Sequence, residues 1–357
     1  MIPISQSHID RIVKDLTPPD EQARTQARAH LDTLTKPLGS LGRLEDIAAQ
    51  LIAIHGAAPS LPLRKAVYTF AADHGIADEG VSAYPRAVTR QMVLNFLHGG
   101  AAINVLARLH GVALHVVDAG VDADFGGIPN LIHRKVRNGS RNMLHEPAMS
   151  DEELAKAIAV GAELAQQASA AGMQLIAIGE MGIGNTTSAS AITCALTGAS
   201  AAKATGRGTG VDHAAHAHKI HIVERVVTKH CPENTPPLAI LQRVGGLEIA
   251  AMTGMVLAAA THRITIVCDG FISTAAAALA AAIAPEVKGY LIAGHRSEEP
   301  GHALLLSYLD LMPVLTLNMR LGEGTGAVLA MPVIESALAL YSRMATFASA
   351  NISEASQ

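Results

Sequence analysis

The sequence predicts an α/β fold, with a parallel sheet covered by helices on both faces and a smaller helical domain built from both chain ends. Short apolar runs alternate with helical patterns through the middle of the chain, which is typical of a parallel sheet. Helical patterns also occupy the two ends. Hydrophobic residues make up 49% of the 357 residues, yet only 3% are aromatic and none is Trp. The abundant Ala and Gly therefore favour closely packed helices over an aromatic-rich β core.

Two helices are predicted within the first sixty residues. Pro18-Pro19-Asp20 starts one helix, which continues through EQARTQARAHLDTL. Ser40 is the predicted N-cap of the second, LGRLEDIAAQLIAIHG, whose leucine and isoleucine side chains share one face. Both helices are expected to belong to the smaller domain.

The chain closes on a third long helical stretch, GAVLAMPVIESALALYSRMATFA. We expect it to pack back on the N-terminal helices. The sequence thus predicts a small helical domain of residues 1–60 with 327–357, and a large α/β domain of residues 61–326.

Six apolar runs in the large domain are predicted strands, and most precede a Gly or Asp and then a helical pattern. In open parallel sheets, ligands bind beyond the carboxyl ends of the strands. Residues just after each run are therefore candidates for a functional site. The runs are AVYTFAA (66–72), VALHVVD (112–118), QLIAIG (174–179), ITIVCD (264–269), GYLIAG (289–294) and MPVLTL (312–317).

Charge and cysteine content argue against several classes of protein. The net charge is −4 and no basic block is present, so neither nucleic acid nor an anionic membrane is expected as a partner. Three scattered cysteines form no CxxC pair, which disfavours a disulfide framework or a structural zinc site. The polar N-terminus is unlike a signal peptide, and the uncharged stretch 270–285 is too short to span a membrane. A soluble, cytoplasmic protein is expected.

The segment Gly179-Glu180-Met181-Gly182-Ile183-Gly184-Asn185 follows a predicted strand and opens a helix. A glycine-rich turn at a helix N-terminus favours an anion, through free N–H groups and the helix dipole. The spacing mimics a P-loop, but Asn185 stands in place of the lysine, so no triphosphate site follows. Glu180 would repel phosphate, which makes a ribose hydroxyl its better partner. Tight packing is the alternative explanation for these glycines.

Two further segments could add to a phosphosugar site. Thr205–Gly210 supplies flexible backbone with Arg207, and Lys219 downstream could add a positive charge. Gly294-His295-Arg296-Ser297 follows another predicted strand. Each could equally be an ordinary surface loop, but together they suggest one converging site.

A lone carboxylate lies between glycines in Arg320-Leu321-Gly322-Glu323-Gly324. Glu323 could be a general base that a planar ligand approaches closely. It could equally be a glutamate stabilised by the dipole at a helix N-terminus. After the first strand, Tyr84 and Pro85 could line a slot for an aromatic ring, and Asp73-His74 could serve a metal, proton transfer or structure.

The histidines of Asp212-His213-x2-His216-x-His218 resemble a metal cluster, but we expect no metal there. The chain has 17 histidines, so such spacings arise by chance. In a helix His218 would be displaced from the face that His213 and His216 share, and no cysteine or acidic partner completes a ligand set.

Together these segments resemble the nicotinate-nucleotide:dimethylbenzimidazole phosphoribosyltransferase family of cobalamin assembly. The matching stretches run in family order over nearly the whole chain, and the pairing of GEMGIGNTT with RLGEGTGA is highly specific. The stretches are TKPLGSLGRLE (35–45), ADHGIADEGVSAYP (72–85), VVDAGVDAD (116–124), GEMGIGNTT (179–187), GRGTG (206–210), VGGLEIAAMTG (244–254), CDGFISTAAA (268–277) and RLGEGTGAVLAMP (320–332).

The resemblance implies a Rossmann-like large domain, a homodimer and no cofactor. It implies transfer of the phosphoribosyl group of nicotinate mononucleotide to 5,6-dimethylbenzimidazole or a related base, with Glu323 as the catalytic base. By the same matching, the nucleotide's phosphate and ribose would be held by Glu180, Gly182, Gly208, Lys219, Asp269 and Ser297. The base pocket would be lined by Ser82, Tyr84, Gln91 and Leu321.

Two other functions compete with this interpretation. A nucleotide-dependent dehydrogenase also uses a parallel sheet with glycine turns, but no predicted strand here precedes GxGxxG with an acidic residue ~20 positions on. A non-enzymatic nucleotide sensor would keep the phosphate loops without needing a glutamate between glycines. Turnover, as opposed to stoichiometric binding, distinguishes an enzyme from a sensor.

Overall fold

The structure is a computed structural model that describes residues 4–353. Its strands are β1 (Lys65–Ala72), β2 (Ala113–Gly120), β3 (Leu131–His133), β4 (Leu175–Met181), β5 (Thr265–Cys268), β6 (Leu291–Ala293), β7 (His295–Ser297) and β8 (Leu315–Met319). The helices of the first half are α1 (Ile4–Val13), α2 (Glu21–Asp32), α3 (Arg43–His55), α4 (Ala87–His98), α5 (Ala102–Leu109) and α6 (Asp151–Ala170). Those of the second half are α7 (Asn185–Thr197), α8 (Ala201–Ala204), α9 (His213–His230), α10 (Pro237–Val244), α11 (Leu247–Thr261), α12 (Phe271–Ile283), α13 (Pro300–Leu309), α14 (Thr325–Arg343) and α15 (Phe347–Ala350).

Six strands form one parallel sheet in the order β3-β2-β1-β4-β5-β6. The chain runs outward from β1 to β3, then crosses back to place β4 on the other side of β1. This is the strand order of the Rossmann fold, and the reversal between β1 and β4 opens a crevice at the carboxyl ends of the strands. The predicted Rossmann-like α/β class is confirmed.

Alternate residues of the central strand β1 pack into two different hydrophobic cores, one on each face of the sheet. Tyr68 and Phe70 belong to the core beneath helices such as α6 and α11, whereas Val67 and Ala71 belong to the core beneath α3, α5 and α14. All eight residues of β1 are buried. A strand buried on both faces needs apolar residues at both parities, which explains why AVYTFAA is a continuous apolar run rather than an alternating one.

The small residues let helices approach one another closely. A side chain at Gly254 of α11 would lie within 3 Å of the backbone of Ile158 in α6. The residues of α11 from Leu247 to Ala260 are all buried. Close helix packing through Ala and Gly is therefore the source of the unusual composition.

Several local features differ from the predictions. The strand predicted at 312–317 begins at Leu315 and pairs with β7 in a separate two-stranded sheet. The strand β3 was not predicted, because its three residues give no readable pattern.

Ser40 is not an N-cap, since it lies in a turn and α3 starts three residues later. The N–H of Leu41, just before α3, donates to Oε1 of Glu45 inside the helix at 3.0 Å, so a side chain of the first turn takes the place of the predicted cap. Asp20 does cap α2, accepting from Gln22 and Ala23.

The C-terminal helix packs on the N-terminal helices, as predicted. The side chain of His30 contacts the carbonyl of Tyr341 at 3.0 Å, and Leu34 forms an antiparallel bridge with Thr346. The division into domains at residues 60 and 327 stays a prediction.

Two helical stretches, Ala87–Leu109 and Thr325–Arg343, are long and apolar enough by composition to cross a membrane. Core helices of globular proteins can have the same length and apolar composition, and half of the apolar stretch of α14 is buried inside the protein. The first stretch contains two helices, α4 and α5. The expectations of a cytoplasmic protein without a membrane partner stay predictions.

Candidate active site

A cavity of about 490 Å³ opens at the carboxyl edge of the sheet, where the strand order reverses. Its walls come from the end of β4, the N-termini of α7 and α12, the strand β7 and the turn before α14. The lining residues are Tyr84, Glu180, Met181, Gly182, Ile183, Asn185, Thr186, Gly208, Thr209, Gly270, Phe271, Ile272, His295, Ser297, Glu299, Arg320, Leu321 and Gly322. The placement agrees with the rule that ligands of open α/β sheets bind at this edge.

One wall combines a helix N-terminus with a buried cation. The glycine turn after β4 leads into α7, whose first two residues line the cavity. Lys219 is fully buried, and its Nζ donates to Thr186 Oγ1 at 2.8 Å. Burial lowers the pKa of Lys219 to about 8, an effect that the nearby charge of Glu299 opposes. The amine stays mainly protonated at neutral pH, so this wall is suited to an anion.

Glu180 lies in the cavity wall, where its Oε2 accepts from Asn185 Nδ2. Burial, followed by the charges of Asp269 and Glu248, raises the pKa of Glu180 to about 8. At neutral pH the side chain is mainly the uncharged acid. It can therefore donate a hydrogen bond to a ribose oxygen, and the repulsion of phosphate expected from its charge is largely removed.

Glu323 occupies a tight turn made of three consecutive left-handed residues, with φ of +90° at Gly322, +66° at Glu323 and +97° at Gly324. Its N–H donates to the Glu180 carbonyl at 3.2 Å, and its own carbonyl accepts from Thr69 Oγ1 at 2.8 Å. The turn thus bonds to the middle of β1 and to the end of β4.

Glu323 is 4% exposed, and its Oε2 accepts from the backbone N–H of Ile103 at 3.1 Å. Burial raises the pKa of Glu323; the Ile103 N–H opposes this, and the charge of Asp269 adds to it. A carboxylate with a raised pKa holds a proton better, which makes it a stronger base.

Asp269 fixes the same turn from behind. Oδ1 accepts from the N–H groups of Gly326 (2.6 Å) and Ala327 (3.0 Å), and Oδ2 accepts from Gly324 (3.1 Å). The carboxylate therefore satisfies free N–H groups at the start of α14. Asp269 is 2% exposed and lies behind the cavity wall, so its predicted contact with the nucleotide stays a prediction.

Glu299 and Arg320 hold the second glycine loop against the cavity. The N–H of Gly208 donates to Glu299 Oε1 at 2.8 Å, and Arg320 Nη1 donates to the Gly208 carbonyl at 2.9 Å. Sequence reasoning did not assign a role to Glu299, because the contact joins residues 91 positions apart.

Ser297 lines the cavity, and the imidazole of His302 positions its backbone. The N–H of Ser297 donates to His302 Nδ1 at 2.9 Å, and His302 Nε2 lies 3.0 Å from Thr274 Oγ1. Burial, followed by the charges of His295 and Arg296, lowers the pKa of His302 to about 3. The ring is therefore neutral and donates to Thr274 through Nε2.

The predicted base-pocket residues are only partly brought together. Tyr84 and Leu321 lie at the mouth of the cavity, 55% and 56% exposed. Ser82 Oγ lies 3.2 Å from the hydroxyl of the lining residue Thr209. Gln91 is exposed on α4 and is not among the lining residues.

The structure thus places six predicted residues in the cavity wall and three directly behind it. In the wall are Glu180, Gly182, Gly208, Ser297, Tyr84 and Leu321. Behind it are Lys219, Asp269 and Glu323, each bonded to a wall residue or its turn. Sequence reasoning gave no separate role to His295 or to the α12 N-terminus, since nothing in HRS or DGF distinguishes them from other strand ends.

The discounted histidine cluster makes ordinary structural contacts. His216 Nε2 lies 2.9 Å from the Thr205 carbonyl, and His218 Nε2 lies 2.8 Å from the Glu79 carbonyl. Within residues 4–353, no group of three or more His, Cys, Asp or Glu side chains is arranged to hold a metal ion.

Comparisons with known proteins agree with one another. A family model described as a phosphoribosyltransferase matches residues 16–352. The nicotinate-nucleotide–dimethylbenzimidazole phosphoribosyltransferase of Chloroflexus aurantiacus is 50% identical over 346 residues, 97% of this chain and 99% of that protein. The enzyme of the same name from Geobacter metallireducens is 50% identical over 340 residues, 95% of this chain and 96% of that protein. The crystal structure of CobT from Thermus thermophilus superposes with a TM-score of 0.90 at 46% identity, covering 94% of this chain and all of that one.

Proposed function

This chain belongs to the nicotinate-nucleotide–dimethylbenzimidazole phosphoribosyltransferase family of pentosyltransferases, and we propose on that basis that it transfers the phosphoribosyl group of nicotinate mononucleotide to 5,6-dimethylbenzimidazole or a related base. The products are nicotinate, which is released, and α-ribazole 5′-phosphate, which is used in assembling the nucleotide loop of cobalamin. A cytoplasmic homodimer without a cofactor is part of the same proposal.

The observation that carries this proposal is the coupling of a buried carboxylate to the wall of an anion-binding cavity. The Glu323 turn bonds to the backbone of Glu180, which lines the cavity. Lys219 and the N-terminus of α7 bring positive charge to the same cavity. A carboxylate held directly behind the wall of a cavity suited to an anion is the arrangement that transfer of a phosphoribosyl group to a nitrogen base requires.

The reaction proceeds as a single displacement at the sugar C1′. In nicotinate mononucleotide C1′ is bonded to a pyridinium nitrogen, so departure of the neutral pyridine ring relieves a positive charge and needs no acid. One benzimidazole nitrogen attacks C1′ from the opposite face, which converts the β-nucleotide into an α-riboside. The other nitrogen loses its proton to the Glu323 carboxylate, which removes the charge developing on the ring.

The protein contributes chiefly by positioning its two substrates. Holding both rings and the sugar in line is worth up to roughly 7–11 kcal/mol of the barrier in well-oriented systems. Removal of the proton typically adds ~10²–10⁴-fold. Asp269 supports this step indirectly, because it fixes the turn that carries Glu323.

A metal-free incubation with nicotinate mononucleotide and 5,6-dimethylbenzimidazole tests the proposal, with chromatography of nicotinate and the α-riboside phosphate. Equal amounts of both products are expected. Nicotinate without the riboside would indicate a hydrolase or a different acceptor. Tight binding of the nucleotide with neither product would favour the sensor.

A further inference from the structure

The helix α5 begins without a side-chain cap of its own. Its N-cap residue is Ala101, whose backbone has the extended conformation of an ordinary N-cap (φ −84°, ψ 165°) but whose side chain has no acceptor. Elsewhere in the chain, Asp20, Ser150 and Asp212 cap α2, α6 and α9 through their side chains. The first N–H groups of a helix need an acceptor where they are buried, so α5 must take one from another part of the chain.

Glu323 supplies that acceptor. Ile103, the second residue of α5, is fully buried, and its N–H donates to Glu323 Oε2 at 3.1 Å. Oε2 therefore occupies the place that the side-chain oxygen of a Ser or Asp N-cap would take. A Cβ at Gly324 would lie 3.6 Å from Cδ1 of Ile103, so the Ile103 side chain also packs close to the Glu323 turn.

Asn104 fixes the start of α5 from the other side. Its Oδ1 accepts from the N–H of Ala101 at 3.1 Å, and its Nδ2 donates to the carbonyl of Phe96 at 2.8 Å. Asn104 is 7% exposed and is not among the residues that line the cavity. Its two bonds join the end of α4 to the start of α5, and they set the direction in which the Ile103 N–H points.

The two carboxylate oxygens of Glu323 thus have different surroundings. Oε2 is held by Ile103, whereas Oε1 has no hydrogen-bond partner within residues 4–353 and is not sealed from solvent. A carboxylate that is anchored through one oxygen can accept a proton on the other without losing its position. The hydrogen bond from Ile103 stabilises the ionised form, and it opposes the rise that burial causes in the pKa of Glu323.

The ionisable groups around Glu323 give its carboxylate no second anchor. Asp269 and Glu180 approach from the ends of β5 and β4, and the charge of Asp269 raises the pKa of Glu323. His295 of β7 lies 3.6 Å from Asp269. Neither β1 after Lys65 nor the first two turns of α14 contain a charged side chain. The basic side chains of α4 and α5 are exposed; they are Arg90, His98 and Arg108.

We propose that Glu323 is the cap of α5 as well as the catalytic base, and that Asn104 is a positioning residue that keeps the Ile103 N–H directed at Oε2. This inference rests on the proposed function, because it takes Glu323 as the base. The positive end of the α5 dipole favours the charged carboxylate that the reaction needs. Oε1 is then the oxygen that takes the proton from the acceptor ring.

Urea denaturation of Ala101→Ser, made in wild type and in Glu323→Ala, tests the cap without measuring activity. In wild type the Ile103 N–H is taken and that of Asn104 bonds to the Ala101 carbonyl, so the new hydroxyl should change the folding equilibrium constant less than about twofold. In Glu323→Ala it should raise that constant about fivefold, because it replaces the missing cap. Ala102→Ser, which adds the same hydroxyl at an exposed position, is the matched control and should act alike in both proteins. An equal effect of Ala101→Ser in both proteins would overturn the inference.

The pH dependence of kcat for formation of the α-riboside phosphate tests the role of Asn104. Asn104→Ala frees the start of α5 and weakens the bond to Oε2, so the acid limb should move to higher pH by about one unit, a tenfold change in proton affinity. Asn104→Gln, which keeps an amide at the third helical position as in a capping box, should move the limb back towards wild type. Ser150→Ala removes a capping side chain from α6 instead, and it should lower stability without moving the limb.

An acid limb that stays in place in a folded Asn104→Ala would leave Asn104 a merely structural residue and overturn its positioning role. The stability comparison does not require Asn104→Ala to fold. Greater stabilisation by Ala101→Ser in Glu323→Ala than in wild type, together with no riboside from wild type, would refute the proposed function and leave the cap supported. Riboside formation by wild type without that difference in stabilisation would overturn the inference alone.

Discussion

Replacing Glu323 with Gln removes the carboxylate base and leaves the turn that holds it in place. The turn depends on backbone contacts to Glu180, Thr69 and Asp269 that the substitution does not touch. The amide oxygen of Gln can accept from the Ile103 N–H in place of Oε2. The cavity should therefore keep its shape, and the nucleotide its affinity.

The expected loss is in turnover. Removing a general base costs about 10²–10⁴-fold in kcat, which corresponds to about 2.7–5.5 kcal/mol of activation free energy. The surface variant Glu286→Gln, which also removes one carboxylate charge, should have unchanged kcat. Steady-state formation of the α-riboside phosphate measures kcat, and calorimetry measures the dissociation constant of the nucleotide. Turnover near that of wild type in Glu323→Gln would refute the assignment of the base.

The pH dependence gives a second, independent readout. The pKa of Glu323 is raised by burial, and the base must be deprotonated to act. Wild-type kcat should therefore fall as pH drops through that raised pKa, and Glu323→Gln should lack this limb. A raised carboxyl pKa also means that stability is highest below the unfolded-state pKa and is lost as pH rises through the folded-state pKa. The stability of Glu323→Gln relative to wild type should thus increase as the pH rises from the unfolded-state pKa through the raised folded-state pKa, as measured by urea denaturation.

Three further outcomes are expected. Lys219→Ala should raise the donor's KM more than it lowers kcat, and an unchanged KM would remove Lys219 from the phosphate site. Donor affinity should decline above about pH 8, because there Glu180 gains a negative charge and Lys219 loses its positive charge. Calorimetry at several pH values should find a shallower decline in Glu180→Gln than in wild type. An identical decline in the two proteins would contradict the role of Glu180. Gly179→Ala would place a Cβ 2.5 Å from the backbone of the Glu323 turn. The substitution should therefore lower the free energy of unfolding by about 1–3 kcal/mol and reduce kcat. Unchanged stability and kcat would mean that the turn can shift to make room for the Cβ.

The strands that could be predicted are those buried on both faces. β1 and β4 form continuous apolar runs because two cores contact them. β7 has the sequence HRS and escaped recognition, since its residues serve the cavity rather than a core. Its partner β8 is mostly exposed and was placed three residues too early.

Single loops in the sequence indicated the main cavity residues, but the contacts that give them their properties are long-range. GEMGIGNTT predicted the turn at α7, and the structure places Glu180 there. The uncharged state of Glu180 depends on burial and on Asp269, which lies on a different strand end far along the chain. The His295 nitrogens have no hydrogen-bond partner within residues 4–353, which likewise depends on packing between Gly270 and Gly326 and is not predicted by any local sequence pattern.

The left-handed backbone conformation of Glu323 lowers thermal stability at the position that supplies the catalytic base. A glutamate pays roughly 1 kcal/mol to adopt a conformation that glycine adopts freely, and it also buries a carboxylate. Drift or directed evolution that rewarded only a higher melting temperature would therefore favour Gly at this position. An engineering campaign on this scaffold would need to hold position 323 fixed, because the substitution that best relaxes the turn is the one that removes its base.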